Sequence, residues 1–541
     1  MRFFCEKNRG YEWLETEKGC FRGYVQKQDG TVLRRETAIL YFACAKTFSE
    51  FLDLLRGIDG CFSVIINRED TVWAAVDVAR SMPLYYAKDG SIISDSSERV
   101  RLELGLAKDA VDKNRILEIY EDSFVAHNNT IYAEIKQIEL GEAVEFVNGQ
   151  VKRQPYFKHI AYIDEYIDRD QAKQKIKQLT DNMLNNLLYV IGNRQIVISL
   201  SGGYDSRYLA CSLKQHGIDN VICYTYGKKT SFEIQQSKKV ADALGYEWYC
   251  VEYNDKDIKS LLEKENKGYW DYCLEHDYTI YLQNYLAVKK LHEKGVFPKN
   301  SVFLTGLCND MPTGSYIPNG EIVKRFGYSR KGVANYISNL RFACKPISQK
   351  QYEFYVDEIE CYLDRLNIEV VDYQTYVRAL DCVTTGYHHS KCFCHMNTVH
   401  EYFGYEWLLP CWNKELLMFW YSLPVEMRLH QNLYEEYVTD ILAKQYGVGT
   451  KKIVVKLSKY FWLAKLKRIM GAALIKIIYP LGIPLRRNND VNNFALLEIE
   501  LYKQIVNKRV IVSQRAVLTL LLNIYMVEQR YGREILKELL V

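Results

Sequence analysis

Hydrophobic and polar positions divide the chain into three regimes. Over the first 158 residues, short β-type runs alternate with turns: Thr37–Ala45, Cys61–Asn67, Val72–Val78, Leu84–Ala87, Ser91–Ser94 and Ala143–Val147. This pattern predicts a strand-rich unit interrupted by one helix, from about Thr47 to Gly57. From 159 to about 455, short apolar strands alternate with helical segments. Val221–Gly227 and Trp248–Tyr253 read as strands, with a helix running from Glu233 through Ala241 between them. That alternation predicts a parallel, doubly wound sheet, which binds ligands at the carboxyl ends of its strands. From 456 onward the pattern is that of amphipathic helices.

The densest chemistry lies between Gln195 and Gly217, QIVISLSGGYDSRYLACSLKQHG. Ile196, Val197, Ile198 and Leu200 predict a buried strand, and Leu209, Ala210 and Leu213 fall at helical spacing. Ser201-Gly202-Gly203-Tyr204-Asp205-Ser206 joins the two. A strand that turns through glycines into a helix aims backbone N–H groups and the positive end of the helix dipole at one point. The glycines let the backbone close on an anion, and Ser201 and Ser206 add hydroxyls. Asp205 would repel a bare phosphate, so its place here implies a bridging Mg²⁺. The Gly-Lys-Ser/Thr ending of a Walker A loop is absent. Further on, SVFLTGLCNDMPTGSY (Ser301–Tyr316) predicts a strand ending in Thr305-Gly306, with Asp310 four residues after the glycine.

The SGGYDS string resembles the pyrophosphate-binding loop of the N-type ATP pyrophosphatases. Other stretches extend the likeness to the asparagine synthetase family over about residues 40–440. They include Gly60, Phe62, Asp77, Pro83, Leu84, Tyr85, Ser96 and Ser97 in the first part, and Gly404, Glu406 and Pro410 in HEYFGYEWLLP. The resemblance implies an Ntn-hydrolase-like α/β/β/α sandwich at 1–158 and an ATP pyrophosphatase domain with a doubly wound parallel sheet at 159–455. A helical C-terminal extension, 456–541, would follow. It also implies ATP and Mg²⁺ as cofactors. Leu200, Ser201, Gly202, Gly203, Asp205 and Ser206 would hold the nucleotide, with Thr305 and Gly306 facing the adenylate. Asp205 and Asp310 would be the metal ligands. Glu406, Lys452 and Lys456 would be the catalytic candidates, with Lys451 a third lysine that spacing does not separate from the other two.

Departures from the family pattern are as informative. Residue 2 is Arg where family glutaminases expose a cysteine nucleophile, and Cys5 lies three residues away. Cys5, Cys20, Cys44 and Cys61 read as small core residues. Leu307 and Met311 stand where the family has acidic side chains, and Leu408 where it has an arginine. The ATP half is thus kept, while the glutaminase and the polar substrate contacts are altered. The expected activity is an ATP-dependent ligase that adenylates a small-molecule or carrier-linked carboxylic acid. Its nitrogen would come from ammonia or a substrate amine. A glutamine-hydrolysing asparagine synthetase and a non-catalytic scaffold are the alternatives.

Composition narrows the setting. Of 541 residues, 48% are hydrophobic and 26% charged, as in ordinary globular proteins. A net charge of +4 is too small to argue for nucleic acid as a partner. Fifteen cysteines without a C-x-x-C pair, behind a charged N-terminus, read as reduced thiols in a cytoplasmic protein. In GYHHSKCFCH, His388, Cys392 and His395 share a helix face, which reads as packing rather than zinc ligation. The basic, aromatic stretch 456–487 reads first as a packed helix, and second as a peripheral membrane contact.

Overall fold

The computed structural model describes residues 1–161, 163, 166–274, 278–307, 309–341, 347–386, 390–449, 473–484, 490–506 and 517–536. Two facing sheets build the N-terminal part. The first has the order β1 (Arg2–Phe4), β8 (Ile92–Ser94), β7 (Tyr85–Ala87), β9 (Ile135–Gln137). The second runs β11 (Gln150–Pro155), β10 (Glu142–Val147), β6 (Thr71–Val76), β5 (Ile58–Asn67), β3 (Gly19–Lys27), β2 (Leu14–Thr16), with β4 (Val32–Arg34) paired to β3. Ile65, Val72, Ala74 and Val76 of the second sheet meet Tyr86 and Ile93 of the first in one buried cluster. Helices Arg35–Ala43 and Phe48–Arg56 cover the outer face of the second sheet. Helices Ser97–Glu103 and Lys113–Asp122 cover that of the first. The layering is the expected α/β/β/α sandwich.

The helix expected from about Thr47 to Gly57 forms at Phe48–Arg56, with the Thr47 hydroxyl accepting the Glu50 N–H as its cap. The strand expected at Thr37–Ala45 is instead the helix Arg35–Ala43. Its buried residues, Ala38, Ile39 and Phe42, share one helical face, which a strand would have split between two. Of the four cysteines read as core residues, Cys20 and Cys61 are buried and Cys5 half-buried, but Cys44 is exposed.

A helix of 23 residues, Arg169–Ile191, leads into the second part, capped by Asp168 through the N–H groups of Asp170 and Gln171. The sheet there is wholly parallel, in the order β14 (Glu247–Glu252), β13 (Val221–Gly227), β12 (Ile196–Ser199), β15 (Val302–Leu304), β16 (Glu406–Leu408). From β12 the chain first builds outward through β13 and β14, then crosses to β15 and β16 on the other side. The strand order reverses between β12 and β15, and a crevice opens at their carboxyl ends. Its two walls begin with Leu200–Ser206 and Thr305–Gly306.

Helices close the rest. Helices Gln349–Arg365 and Tyr373–Thr384 share a separate apolar core with helix Arg330–Arg341. The C-terminal helix Val517–Tyr531 packs back on Lys113–Asp122, where the Asn523 amide donates to the Tyr120 carbonyl at 3.1 Å. Of the stretch 456–487, residues 473–484 are described. Ile475 and Tyr479 are buried there, and Ile477 and Leu481 are exposed. Among the described residues no helix is long and apolar enough to cross a membrane.

Candidate active site

The loop after β12 is shaped by its own polar groups. The Ser201 N–H donates to Ser206 Oγ at 3.0 Å, and the Gly203 N–H donates to Ser201 Oγ at 3.1 Å. The two hydroxyls lie 3.1 Å apart. Leu200, fully buried, ties the loop's start to β13 through its N–H and the Tyr224 carbonyl at 2.8 Å. Helix Tyr204–Gln215 begins at Gly203 with no side chain capping its first turn. Its N-terminal N–H groups thus point out of the loop, as an anion site requires. Gly202 lies against Glu233, at the start of helix Phe232–Leu244, where a Cβ would come 3.5 Å from the Glu233 Cα.

Asp205 is the centre of the crevice. Its Oδ1 accepts the Tyr434 hydroxyl at 2.8 Å and the Asn309 amide at 3.5 Å. Burial, and then the charge of Asp205, pushes the Tyr434 phenol well up, so it stays a donor. Gly306 packs directly on Asp205: a Cβ there would sit 3.0 Å from the Asp205 Cβ and 3.2 Å from its carbonyl carbon. A side chain at 306 would make the Asp205 Cβ and main chain give by a few tenths of an ångström.

Asp310, the expected second ligand, takes the Ser315 hydroxyl at 3.3 Å. The side chain that reaches Asp205 is its neighbour, Asn309. The Asn309 Oδ1 is buried and has no hydrogen-bond partner among the described residues. The Asn309 side chain turns its nitrogen to the Asp205 carboxylate and keeps an unpartnered oxygen of the type a hard divalent cation takes, so the residue types here are compatible with Mg²⁺. The loop that carries Asn309 is held from behind. Thr313 Oγ1 donates to the Asn309 carbonyl at 2.7 Å. Arg428 donates to the Pro312 carbonyl at 2.8 Å and forms a bidentate pair with Asp381 at 2.7 and 3.0 Å.

Two other expected residues make contacts that hold the sheet together. The Thr305 hydroxyl donates to the Leu408 carbonyl at 3.2 Å, joining β15 to β16. Glu406 stands at the amino end of β16, paired in register with Val302, the first residue of β15. In a parallel sheet this is the edge opposite the crevice. There it binds Arg34 and Arg194. Its expected catalytic role is corrected on that ground. Lys451, Lys452, Lys456 and His388 lie outside the described residues.

Tyr434 and Asn309 were not legible as site residues. Tyr434 is 229 positions from Asp205 and carries no motif. Asn309 carried one signal, its place beside Asp310.

Comparison with known proteins agrees with this layout. Residues 36–157 match the glutamine amidotransferase domain, and residues 188–446 match asparagine synthase. No curated protein matches by sequence. Among solved structures, NH3-dependent NAD synthetase from Campylobacter jejuni is 14% identical, covering 41% of this chain and 95% of its own, with a TM-score of 0.20. NMN synthetase from Francisella tularensis is 12% identical, covering 43% and 94%, with a TM-score of 0.21. Glutamine PRPP amidotransferase from B. subtilis, complexed with ADP and GMP, is 10% identical, covering 46% and 74%, with a TM-score of 0.19. Scores this low transfer no function. With its two parts matched in sequence and in order, the chain has the two-part architecture of the asparagine synthetase family.

Proposed function

We propose that this protein adenylates a carboxylic acid with ATP, releases pyrophosphate, and passes the activated acyl group to ammonia or to an amine on a second substrate. The observation that carries the reading is the crevice between β12 and β15, where a glycine-rich loop at a helix N-terminus adjoins Asp205 and the orphaned Asn309 oxygen. The N-terminal N–H groups of helix Tyr204–Gln215 would receive the phosphate oxygens, with Ser201 and Ser206 orienting the loop around them. Asp205 and Asn309 would hold Mg²⁺, which would neutralise charge on the leaving pyrophosphate. Tyr434 fixes the Asp205 carboxylate, and Gly306 leaves room for it. Leu307, partly buried against the main core, has no proton to give or take. It supports an acceptor handled differently from aspartate.

Nitrogen from glutamine is disfavoured by the N-terminal part. Arg2 extends to Glu103 at 2.5 Å, and the Cys5 thiol is held against Cys20 and pushed up by that contact and by burial. A thiol so placed is a poor nucleophile. The test is pyrophosphate release from Mg²⁺–ATP across a panel of carboxylic acids, with Asp205→Ala as control. Acid-dependent release that the substitution abolishes is expected. No release with any acid, and no ATP binding by calorimetry, would leave a scaffold instead.

A further inference from the structure

Away from the ATP crevice, Cys5, Glu15 and Cys20 bring two thiols and a carboxylate together, their ligating atoms all within 4.8 Å of one another. Among the described residues no other three His, Cys, Asp or Glu side chains converge this closely. The support is rigid. Glu15 and Cys20 are directly opposite on the antiparallel β2–β3 ladder, so their side chains leave the same face. Cys5 follows β1, in the other sheet. Its position is fixed by Asp95, which accepts the N–H groups of Glu6 at 3.0 Å and Lys7 at 2.9 Å and the Trp13 indole N–H at 2.7 Å. Cys20 is fully buried, Cys5 half-buried and Glu15 exposed. The cluster is therefore closed on the protein side and open to solvent on one side.

We propose that Cys5, Glu15 and Cys20 form a binding site for a thiophilic divalent cation, zinc being the first choice, with water in the fourth position. Tetrahedral zinc with Zn–S bonds of about 2.3 Å sets two sulfurs about 3.8 Å apart and a sulfur and an oxygen about 3.5 Å apart, within the span seen here. Binding converts both thiols to thiolates and releases two protons per cation. The metal–sulfur bonds replace the thiol–thiol contact, and the site carries one net negative charge. Because the ligands come from β1's end and from the β2–β3 hairpin, the cation ties the two sheets of the sandwich together. The fourth position, left to water, stays open to solvent. The site does not depend on the reading of the ATP crevice.

The full chain, stripped by chelator and kept reduced, is titrated with Zn²⁺ and with Co²⁺. One equivalent is expected to bind, with a thiolate-to-cobalt charge-transfer band, release of two protons and a raised melting temperature. Cys5→Ser should abolish the band and the proton release. Glu15→Gln, at an exposed position that folding tolerates, should keep the band but weaken zinc binding by about tenfold or more. Replacing the exposed Cys44, Cys250 and Cys361 together by Ser should change neither. No stoichiometric uptake by the reduced wild-type chain would overturn the proposal. So would uptake that is unaltered in both Cys5→Ser and Glu15→Gln.

Discussion

Arg34 grips Glu406 with both arms of its guanidinium, Nη1 to Oε1 at 2.8 Å and Nη2 to Oε2 at 3.1 Å, across 372 positions of sequence. Arg194 takes the same Oε2 at 2.6 Å. One carboxylate thus joins the end of β4 in the first sheet system to the amino edge of the parallel sheet in the second. A planar fork on a carboxylate is geometrically selective, and here it sets how the two parts meet.

Removing that carboxylate should cost stability and spare chemistry. Glu406→Ala leaves two facing guanidinium groups without their counter-charge. A loss of about 1–3 kcal/mol is expected for this partly buried pairing. Urea unfolding measures it. The KM for Mg²⁺–ATP should stay near that of the wild type. A large drop in kcat with unchanged stability would restore a catalytic role to Glu406.

Gly306→Ala should disturb the crevice directly. The new methyl would stand 3.0 Å from the Asp205 Cβ, against a main chain that cannot yield far. Overpacking of this kind costs about 1–3 kcal/mol, and part of the relief is displacement of the carboxylate. Pyrophosphate release should fall, and the Mg²⁺ concentration giving half-maximal rate should rise.

Asn309 and Asp310 can be separated. Asn309→Leu removes both the contact to Asp205 and the orphaned oxygen, and should raise the half-saturating Mg²⁺ at least about tenfold, equivalent to about 1.4 kcal/mol. Asp310→Asn should change it by less than about threefold, since a weakened bond to an exposed hydroxyl costs only about 0.5 kcal/mol. The reverse order would return the second metal contact to Asp310.

His400 predicts an acid limb of stability. It is buried behind β15, stacked on Phe303 with ring centroids 4.3 Å apart, and burial lowers it from 6.5 to about 3. Between those values the unfolded chain takes up a proton that the folded chain refuses. Its contribution is therefore complete above about pH 6.5 and declines as pH falls, by up to about 1.4 kcal/mol per pH unit. Urea midpoints at pH 7, 6 and 5 should fall less steeply for His400→Gln than for the wild type.

Glutamine should not replace ammonium as nitrogen source. With ¹⁵N-amide glutamine, no label is expected in the product and no glutamate should appear, whereas ¹⁵N-ammonium or an amine substrate should transfer its nitrogen. Glutamate release abolished by Cys5→Ala would reverse this.

Local pattern alone determined much of this protein. The SGGYDS loop, the β12 strand before it and the helix after it follow from apolar periodicity and glycine placement over some twenty neighbouring residues, all within reach of local physics. The same holds for β5 and β6, and for the helix capped by Thr47. Where side-chain period was ambiguous, tertiary burial decided: Thr37–Ala45 has strand-like composition, yet one face of a helix fits the outer surface of β3 and β5. The contacts of the crevice were decided almost wholly by the tertiary structure. Tyr434 reaches Asp205 because a helix far along the chain is folded onto the β12 loop. Asn309 meets Asp205 because Thr313 and Arg428 brace the loop that carries it, Arg428 from far along the chain. Glu406 kept a motif's spacing, but a position on a parallel strand has two ends, and only the register with β15 shows which end it occupies.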